Sequence, residues 1–326
     1  VYKRQILFKE NQEDIVLMKY IAKIGMDHGY RNMKTRNCLF DTAISELPGP
    51  GVPDELDGIL KYKGSAYTLY GKRVASVDTH NKADSKEFYL LTLAAMAKEM
   101  QARKVNTASV YLSAGLPQRW YLAQKEAFAD MLGKEKHLEF EFEGNPYAVD
   151  IENVRVYIQG YAAAISLLMK KYQSDFVVIV DIGGETMDII PVNATKIVRE
   201  DCRIATNATI WLMKDIAERI NTELYADIPD AKVLEYLVRS SKEKEPGNPY
   251  EKIMHHTARE YCSRVYQMLR EYKLNPELVP VIFVGGGAGI MKRFGEYNPD
   301  MTDFIEDLRA NAIGYELLDE IYYSRR

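Results

Sequence analysis

Two short segments of this chain carry an aspartate and glycine at a point where an apolar run turns back on itself. The first is Asp27-His28-Gly29 and the second is Asp181-Ile182-Gly183. A strand-like run enters and leaves each turn, which predicts two hairpins. The backbone N–H groups at such a tip bind phosphate oxygens, and its carboxylate can hold a hydrated metal ion. The pair therefore predicts two similar halves that face one another across a nucleotide.

Phosphoryl transfer needs donors around the phosphates, a divalent cation and a group that orients the attacking oxygen. At the first turn, Gly29 and Tyr30 are expected to supply backbone donors, and Lys34 adds a positive charge. Asp27 and Asp181 are the candidates for holding the hydration shell of Mg²⁺, which keeps much of its water and takes few protein carboxylates. At the second turn, the expected donors are Gly183, Gly184, Glu185 and Thr186, the last two through backbone rather than side chain.

A third glycine-rich turn, Gly285-Gly286-Gly287-Ala288, follows the apolar run VIFV. Without side chains there, backbone can approach a ligand closely, which suits a nucleoside lying over the turn. Each turn also has a purely structural interpretation, because a turn aspartate commonly bonds its own backbone and a glycine triplet commonly joins a strand to a helix. It is the combination of three turns that favours nucleotide binding.

The segments around these turns alternate between strand and helix patterns. A Pro/Gly-rich break at 47–58 precedes a short segment of antiparallel strands, interpreted as a small inserted sheet. The order of elements then repeats, which predicts an α/β chain with an internal duplication rather than a single doubly wound sheet. Strands are predicted at 107–117, 138–144 and 147–157, and helices at 83–102, 159–171, 210–224, 231–240, 253–274 and 303–323.

Bulk composition excludes several classes of protein. The chain has 326 residues, is 47% hydrophobic and carries a net charge of −4, without the runs of like charge that predict direct nucleic-acid binding. Three cysteines with neither a metal-ligand nor a disulfide spacing favour a reducing cytoplasm. No apolar stretch is long enough to predict a membrane span. Residues 1–17 lack periodicity and are interpreted as read-through before a start at Met18, the alternative being an ordered extension.

Five segments taken in order resemble the motifs of a known superfamily. They resemble the phosphate-1, connect-1, phosphate-2, adenosine and connect-2 motifs of the actin, Hsp70 and sugar-kinase superfamily, and within it the bacterial actin-like ATPases of the ParM/StbA plasmid-segregation type. The likeness covers nearly everything after Met18. The five segments are DHGYRNMK (27–34), IQGYAAA (158–164), DIGGETMD (181–188), FVGGGAGI (283–290) and ANAIGYE (310–316).

This resemblance implies an actin-like fold of two duplicated ribonuclease-H-like domains with a nucleotide cleft between them. Domain I would comprise 18–160 and 308–326, with a small inserted subdomain near 50–105, and domain II would comprise 161–307. The implied activity is that of a cytoplasmic ATPase which polymerises with ATP and Mg²⁺. Its partners would be further copies of itself and a DNA-binding adaptor protein, with no direct contact to nucleic acid or membrane.

The resemblance also assigns roles to single residues. Asp27 and Asp181 match the metal-side aspartates, Lys34 matches the phosphate-1 lysine, and Asn32 lies in the same nucleotide-binding motif. Gln159 falls in connect-1, where actins place a glutamine that positions the hydrolytic water. A neutral amide is a poor base, so orientation is its expected role. The alternative is that Gln159 caps the Ala-rich helix that follows it.

Two other functions remain open at this level. One is a small-molecule kinase on the same fold, which would place an aspartate base near a polar substrate pocket. The other is a nucleotide-dependent scaffold with little turnover, in which Arg31 marks an altered phosphate turn, since that position more often holds glycine or another small residue. Transfer of phosphate to a metabolite would favour the first, and slow hydrolysis with ATP-dependent partner binding would favour the second.

Overall fold

The structure is a computed structural model that describes residues 20–49, 57–74 and 81–324. The interpretation of residues 1–17 lies outside the described residues. Within the described ranges the strands form two sheets, one of nine strands and one of six, with helices packed against them. In the same ranges no helix is long and apolar enough to cross a membrane.

The nine-stranded sheet is built from the first half of the chain. Its strands lie in the order β3-β2-β1-β7-β9-β8-β5-β6-β4. Helix α1 begins where the side chain of Ser85 accepts a hydrogen bond from the Phe88 amide. The bounds are β1 Tyr20–His28, β2 Asn32–Lys34, β3 Leu39–Asp41, β4 Ala43–Glu46, β5 Ile59–Tyr62, β6 Ser65–Arg73, α1 Lys86–Arg103, β7 Thr107–Leu116, α2 Gln118–Leu132, β8 His137–Phe142 and β9 Asn145–Ile158.

The second half forms the six-stranded sheet and the remaining helices. Its strands lie in the order β12-β11-β10-β14-β15, and β13 pairs with β11. The bounds are α3 Tyr161–Lys171, β10 Phe176–Ile182, β11 Met187–Asn193, β12 Lys196–Ile197, β13 Arg203–Ala205, α4 Thr209–Leu224, α5 Asp230–Arg239, α6 Pro249–Glu271, β14 Val281–Val284, α7 Ala288–Phe294, β15 Thr302–Ile305 and α8 Ala310–Ser324.

The two sheets share one five-stranded pattern, in which the outer strands β3 and β12 pair antiparallel with β2 and β11. In the first, β1 pairs antiparallel with β2 and parallel with β7, which pairs in parallel with β9. In the second, β10 pairs antiparallel with β11 and parallel with β14, which pairs in parallel with β15. The predicted α/β fold with duplicated halves is confirmed. Parallel strands end at the same edge of a sheet, so the predicted turns after β1, β10 and β14 lie where such sheets bind ligands.

Buried apolar side chains form a core for each half and a third cluster between them. The third cluster joins α3 and the apolar face of β10 to partly buried side chains of α8. Helix α8 also packs against β1 and β7 of the first sheet. The last helix of the chain is therefore packed against elements of both halves.

Three predictions about single elements were wrong. The segment 303–323 is not one helix, because Thr302–Ile305 pairs in parallel with β14 and the helix starts only at Ala310. The inserted strands are antiparallel but do not form a separate sheet, since β5 pairs with β8 and extends the first sheet. The helix predicted at 253–274 begins earlier, at Pro249, because Asn248 caps α6 and Pro249 occupies its first turn.

Candidate functional site

The first hairpin contains a buried ion pair. The register of β1 and β2 places Asp27 opposite Lys34, and the Lys34 ammonium lies 2.9 Å from Asp27 Oδ2. Asp27 is only 3% exposed. Burial alone would raise its pKa, but the charge and hydrogen bond of Lys34 outweigh burial and hold the pKa of Asp27 below its ordinary value. Asp27 is therefore ionised at neutral pH and is neutralised by its neighbour.

The second hairpin pairs its strands in the same register, but it has a second carboxylate where the first hairpin has a lysine. Asp188 lies opposite Asp181, at the position that Lys34 takes opposite Asp27. Burial, and then the charge of Asp27, raise the pKa of Asp181 to about 6. Burial, and then the charge of Asp181, raise the pKa of Asp188 to about 7. Two facing carboxylates with raised pKa values favour a bound cation, which would relieve their repulsion.

Asp188 is a residue of the candidate site that the sequence prediction missed. A signal for it is present, because the spacing from Asp181 to Asp188 equals the spacing from Asp27 to Lys34. Two hairpins of equal length must place both partners opposite their aspartates. A comparison of the two motifs position by position would have found it.

The connection between the halves brings the two aspartates together. The Gln159 side-chain amide donates a hydrogen bond to Asp27 Oδ1 at 3.1 Å. The next residue, Gly160, has a φ of +71°, and a Cβ built there would lie 2.9 Å from the Cβ of Asp181. The Gly160 amide donates to Asn311 Oδ1 of α8 at 2.9 Å. Consecutive residues thus contact the aspartates of both hairpins.

Gln159 does not cap the helix that follows it. Helix α3 starts at Tyr161, its capping position is Gly160, and no side chain bonds its first turn. The amide of Gln159 instead points to Asp27 and, at 3.5 Å, to the carbonyl of Gly115. The alternative role of Gln159 as a cap is therefore wrong, and its side chain lies at the candidate site.

The carbonyl groups of the first turn are held by Thr42, between β3 and β4, and by Lys82, just before α1. The buried Lys82 ammonium donates to the carbonyl of His28 at 2.6 Å, and the Thr42 hydroxyl donates to the carbonyl of Gly29 at 2.5 Å. The Thr42 amide donates to the carbonyl of Arg31 at 3.1 Å. Arg31 itself is exposed. These contacts fix the shape of the turn from the side of its carbonyl oxygens.

The side chains of the first turn contact neighbouring groups of the protein. Burial, and then the charge of Lys82, lower the pKa of His28 to about 3, so its ring is neutral, and its Nε2 lies 2.9 Å from the Thr92 hydroxyl. The ring of Tyr30 packs edge-on against Phe88. The Asn32 amide, oriented with its nitrogen toward acceptors, donates to Asp41 of the neighbouring strand at 3.1 Å. A contribution of Tyr30 to phosphate binding would therefore come from backbone.

The second turn is fixed by the start of α4. The carbonyl of Gly183 accepts hydrogen bonds from the Thr209 amide at 3.2 Å and the Thr209 hydroxyl at 3.0 Å, and the carbonyl of Gly184 accepts from the Ile210 amide at 2.9 Å. The Gly183 amide closes the turn on the carbonyl of Thr186 at 2.9 Å. Gly184 and Glu185 are exposed. The turn is thus rigid at its base and open at its tip.

The glycines of the third turn have unequal surroundings. Gly285 has a φ of +81°, and a Cβ there would lie 2.4 Å from Asp181 Oδ1. A Cβ on Gly287 would lie 2.2 Å from a side-chain carbon of Ile182, whereas Gly286 has no neighbouring atom within 4 Å of that position. Ala288 is fully buried at the start of α7. Gly285 and Gly287 therefore allow the turn to pack on β10, and Gly286 presents open backbone.

The side chains near the two turns match the way in which Mg²⁺ binds to proteins. In the described part of the chain no group of three or more His, Cys, Asp or Glu side chains is arranged to enclose a metal directly. Mg²⁺ usually keeps several waters and binds through one or two carboxylates. Asp181 and Asp188, with pKa values raised to about 6 and about 7, supply carboxylates of that kind. The residues fit a hydrated ion.

Comparison with known proteins agrees with this geometry. Residues 25–161 match the family described as the actin-like proteins N-terminal domain. Among curated protein sequences none matches the chain. The solved structures that resemble it include an archaeal actin homologue, Ta0583, with a TM-score of 0.75 and 22% identity over 93% of this chain and 100% of that one. Ta0583 has also been solved in complex with ADP.

Two ParM proteins are among the similar structures. The apo ParM of pSK41 has a TM-score of 0.73 and 18% identity, covering 93% of this chain and 98% of that one. A 15-stranded ParM filament from Clostridium botulinum has a TM-score of 0.67 and 18% identity, covering 93% and 99%.

Residues 25–161 therefore match an actin-like N-terminal domain, and the chain as a whole has an actin-like fold. The resemblance to the actin-like proteins of the ParM type, inferred from the five motifs, is confirmed by the family match over 25–161 and by these structures.

Proposed function

We propose that this protein is an actin-like ATPase that binds Mg-ATP between its two sheets, assembles into filaments and hydrolyses the nucleotide there. The observation that carries the proposal is the convergence at Gln159 and Gly160, which contact Asp27 and Asp181 respectively. Two phosphate-turn candidates and a candidate water-orienting amide thus meet at one point. This is the set of groups that phosphoryl transfer to water requires.

Each residue has a proposed part in hydrolysis. Backbone N–H groups at the first and second turns, together with Lys34, bind the phosphates, and open backbone at Gly286 lies under the nucleoside. A hydrated Mg²⁺ beside Asp27 and Asp181, with Asp188 as a further carboxylate, would neutralise charge on the phosphates when it is bound. The Gln159 amide orients the attacking water.

The similar proteins support the remaining parts of the proposal. Ta0583 binds ADP, and the ParM of Clostridium botulinum forms filaments. We infer the same properties for this chain, with domain I at 18–160 and 308–326 and domain II at 161–307. We further propose that it works in the cytoplasm and positions plasmid or other DNA through a DNA-binding adaptor protein, as the resemblance to segregation actins implies.

Phosphate release and sedimentation test the proposal together. The purified protein with Mg-ATP should release phosphate and form filaments that pellet and are visible by electron microscopy. Asp181→Ala should suppress phosphate release by about a hundredfold or more, because it removes a carboxylate at the reacting phosphates. Asp130→Ala, on the exposed face of α2, is the matched control and should keep the full rate.

Three results would contradict separate parts of the proposed function. Tight ATP binding without assembly at any protein concentration would refute the filament while leaving the fold intact. Transfer of phosphate to a metabolite, rather than its release to water, would identify a small-molecule kinase instead. An unchanged rate in Asp181→Ala would show that the convergence described above is not the reacting centre.

A further inference from the structure

Helix α8 places a buried phenol beneath the candidate site. Tyr315 is 0% exposed, and among the described residues its hydroxyl has no hydrogen-bond partner. A buried hydroxyl without a partner costs about 1–3 kcal/mol, so such groups are uncommon unless they have another use. Tyr315 was part of the connect-2 motif but received no role from the sequence.

This hydroxyl lies close to the Gln159 amide, which would orient the attacking water in the proposed reaction. A Cβ built on Gly115 would lie only 1.9 Å from the Tyr315 oxygen, so the glycine leaves the space that the hydroxyl fills. The carbonyl of Gly115 is also the more distant acceptor, at 3.5 Å, for the Gln159 amide. The hydroxyl and this amide thus meet at the end of β7.

The Gln159 amide can supply the hydrogen bond that Tyr315 lacks. A hydroxyl donates one hydrogen and accepts at its oxygen. The Tyr315 oxygen and the Gln159 nitrogen both lie beside Gly115, so the oxygen is placed to accept the second N–H of the amide.

We propose that Tyr315 is a positioning residue for Gln159 in the hydrolytic step. The Gln159 nitrogen carries two hydrogens, and one already goes to Asp27. In the nucleotide-bound state the second goes to the Tyr315 oxygen, which fixes the rotation of the amide and leaves its oxygen facing the attacking water. This inference rests on the proposed ATPase activity, and it explains why a hydroxyl is kept in this buried place.

The test removes the hydroxyl alone. Tyr315→Phe should lower the rate of phosphate release roughly three- to tenfold, the effect of one neutral hydrogen bond. Nucleotide affinity should stay unchanged, and the urea midpoint should stay equal or rise, because an unpaired hydroxyl is lost. Tyr266→Phe is the matched control, since the hydroxyl of Tyr266 is also buried and unpartnered among the described residues but lies in the second core. It should keep the full rate.

A double-mutant cycle separates positioning from a structural effect. In a Gln159→Ala background, Tyr315→Phe should cause no further loss of rate, because the amide on which the hydroxyl acts is gone. Equal losses in both backgrounds, or a full rate in Tyr315→Phe, would overturn the proposal.

A second measurement does not depend on turnover. In ¹⁵N-labelled protein with a non-hydrolysable ATP analogue, the side-chain amide signal of Gln159 should shift in Tyr315→Phe and not in Tyr266→Phe. An unshifted signal overturns the role of Tyr315 even if the wild type proves inactive. Absence of phosphate release from the wild type would refute the proposed ATPase by itself, so the two failures are distinguishable.

Discussion

The facing carboxylates of the second hairpin should destabilise the protein when no cation is bound. Asp188→Asn removes one negative charge and keeps the shape of the side chain. Asp188 is 7% exposed, and one of its carboxylate oxygens has no hydrogen-bond partner among the described residues. We therefore expect Asp188→Asn to raise the free energy of unfolding at pH 8.

The size of the effect follows from the pKa of this carboxyl. Its rise from 3.8 to about 7 means that the fold disfavours the ionised form by about 4 kcal/mol, at about 1.4 kcal/mol for each tenfold change in acidity. Asparagine avoids this cost but brings two N–H donors that need partners, so the expected gain at pH 8 is about 2–4 kcal/mol.

The gain should depend on pH with a defined sign. Between pH 3.8 and about 7, folded wild type keeps a proton on Asp188 that the unfolded chain has lost. Wild-type stability therefore falls as pH rises through this window and is constant with respect to this group above it. The advantage of Asp188→Asn should be full at pH 8 and, by the same linkage, less than about half as large at pH 5.

Urea unfolding of the nucleotide-free protein, followed by tryptophan fluorescence at pH 5 and pH 8 without divalent cations, measures this directly. Asp130→Asn on the surface of α2 is the control and should change stability by less than about 0.5 kcal/mol at both pH values. A loss of stability in Asp188→Asn at pH 8, or an equal gain at both pH values, would refute the reasoning. Mg-ATP should stabilise the wild type more than Asp188→Asn.

Two further substitutions test the surroundings of the site. Gly160→Ala should destabilise the protein by at least about 2 kcal/mol in urea unfolding, because alanine is strained at a φ of +71° and its Cβ would meet Asp181. The control Gly247→Ala should be nearly neutral, since a Cβ there makes only ordinary contacts. A neutral Gly160→Ala would contradict the packing of Gly160 on Asp181. Burial lowers the pKa of Lys82 from 10.5 to about 8, so the unfolded chain binds more protons between these values and this group makes stability rise with pH there. Lys82→Met should lack that rise when both proteins are unfolded in urea at pH 8 and pH 10, and parallel pH curves would argue against a buried charge.

Local patterns predicted much of the fold and of the site. Both hairpins and the turn at Gly285 could be predicted, because each is marked by an apolar run and the few residues that follow it. The strand Thr302–Ile305 could not, because four residues carry little periodicity and their pairing with β14 is a long-range contact. The predicted helix therefore included this strand together with α8, which begins at Ala310.

The parts of the site that the sequence did not reveal depend on tertiary contacts. Lys82 is a charged residue that composition would place on the surface, yet it is 4% exposed and holds the carbonyl of His28. Asn311 and Tyr315 lie in a recognised motif, but the bond of Asn311 to Gly160 and the place of Tyr315 beside Gly115 require α8 to return beside the first sheet. Asp188 lies opposite Asp181 because of the register between β10 and β11, which the residue type alone does not reveal.

The position of Gln159 and Gly160 has a mechanical consequence. The chain passes from the first sheet to the second through these two residues, and it returns only where β15 leads into α8. A rotation of one sheet against the other must therefore change backbone torsions beside the amide that would orient water. Under the proposed function, a change in the angle between the halves would move the Gln159 amide, so a neighbouring subunit that sets this angle would also alter the rate of hydrolysis.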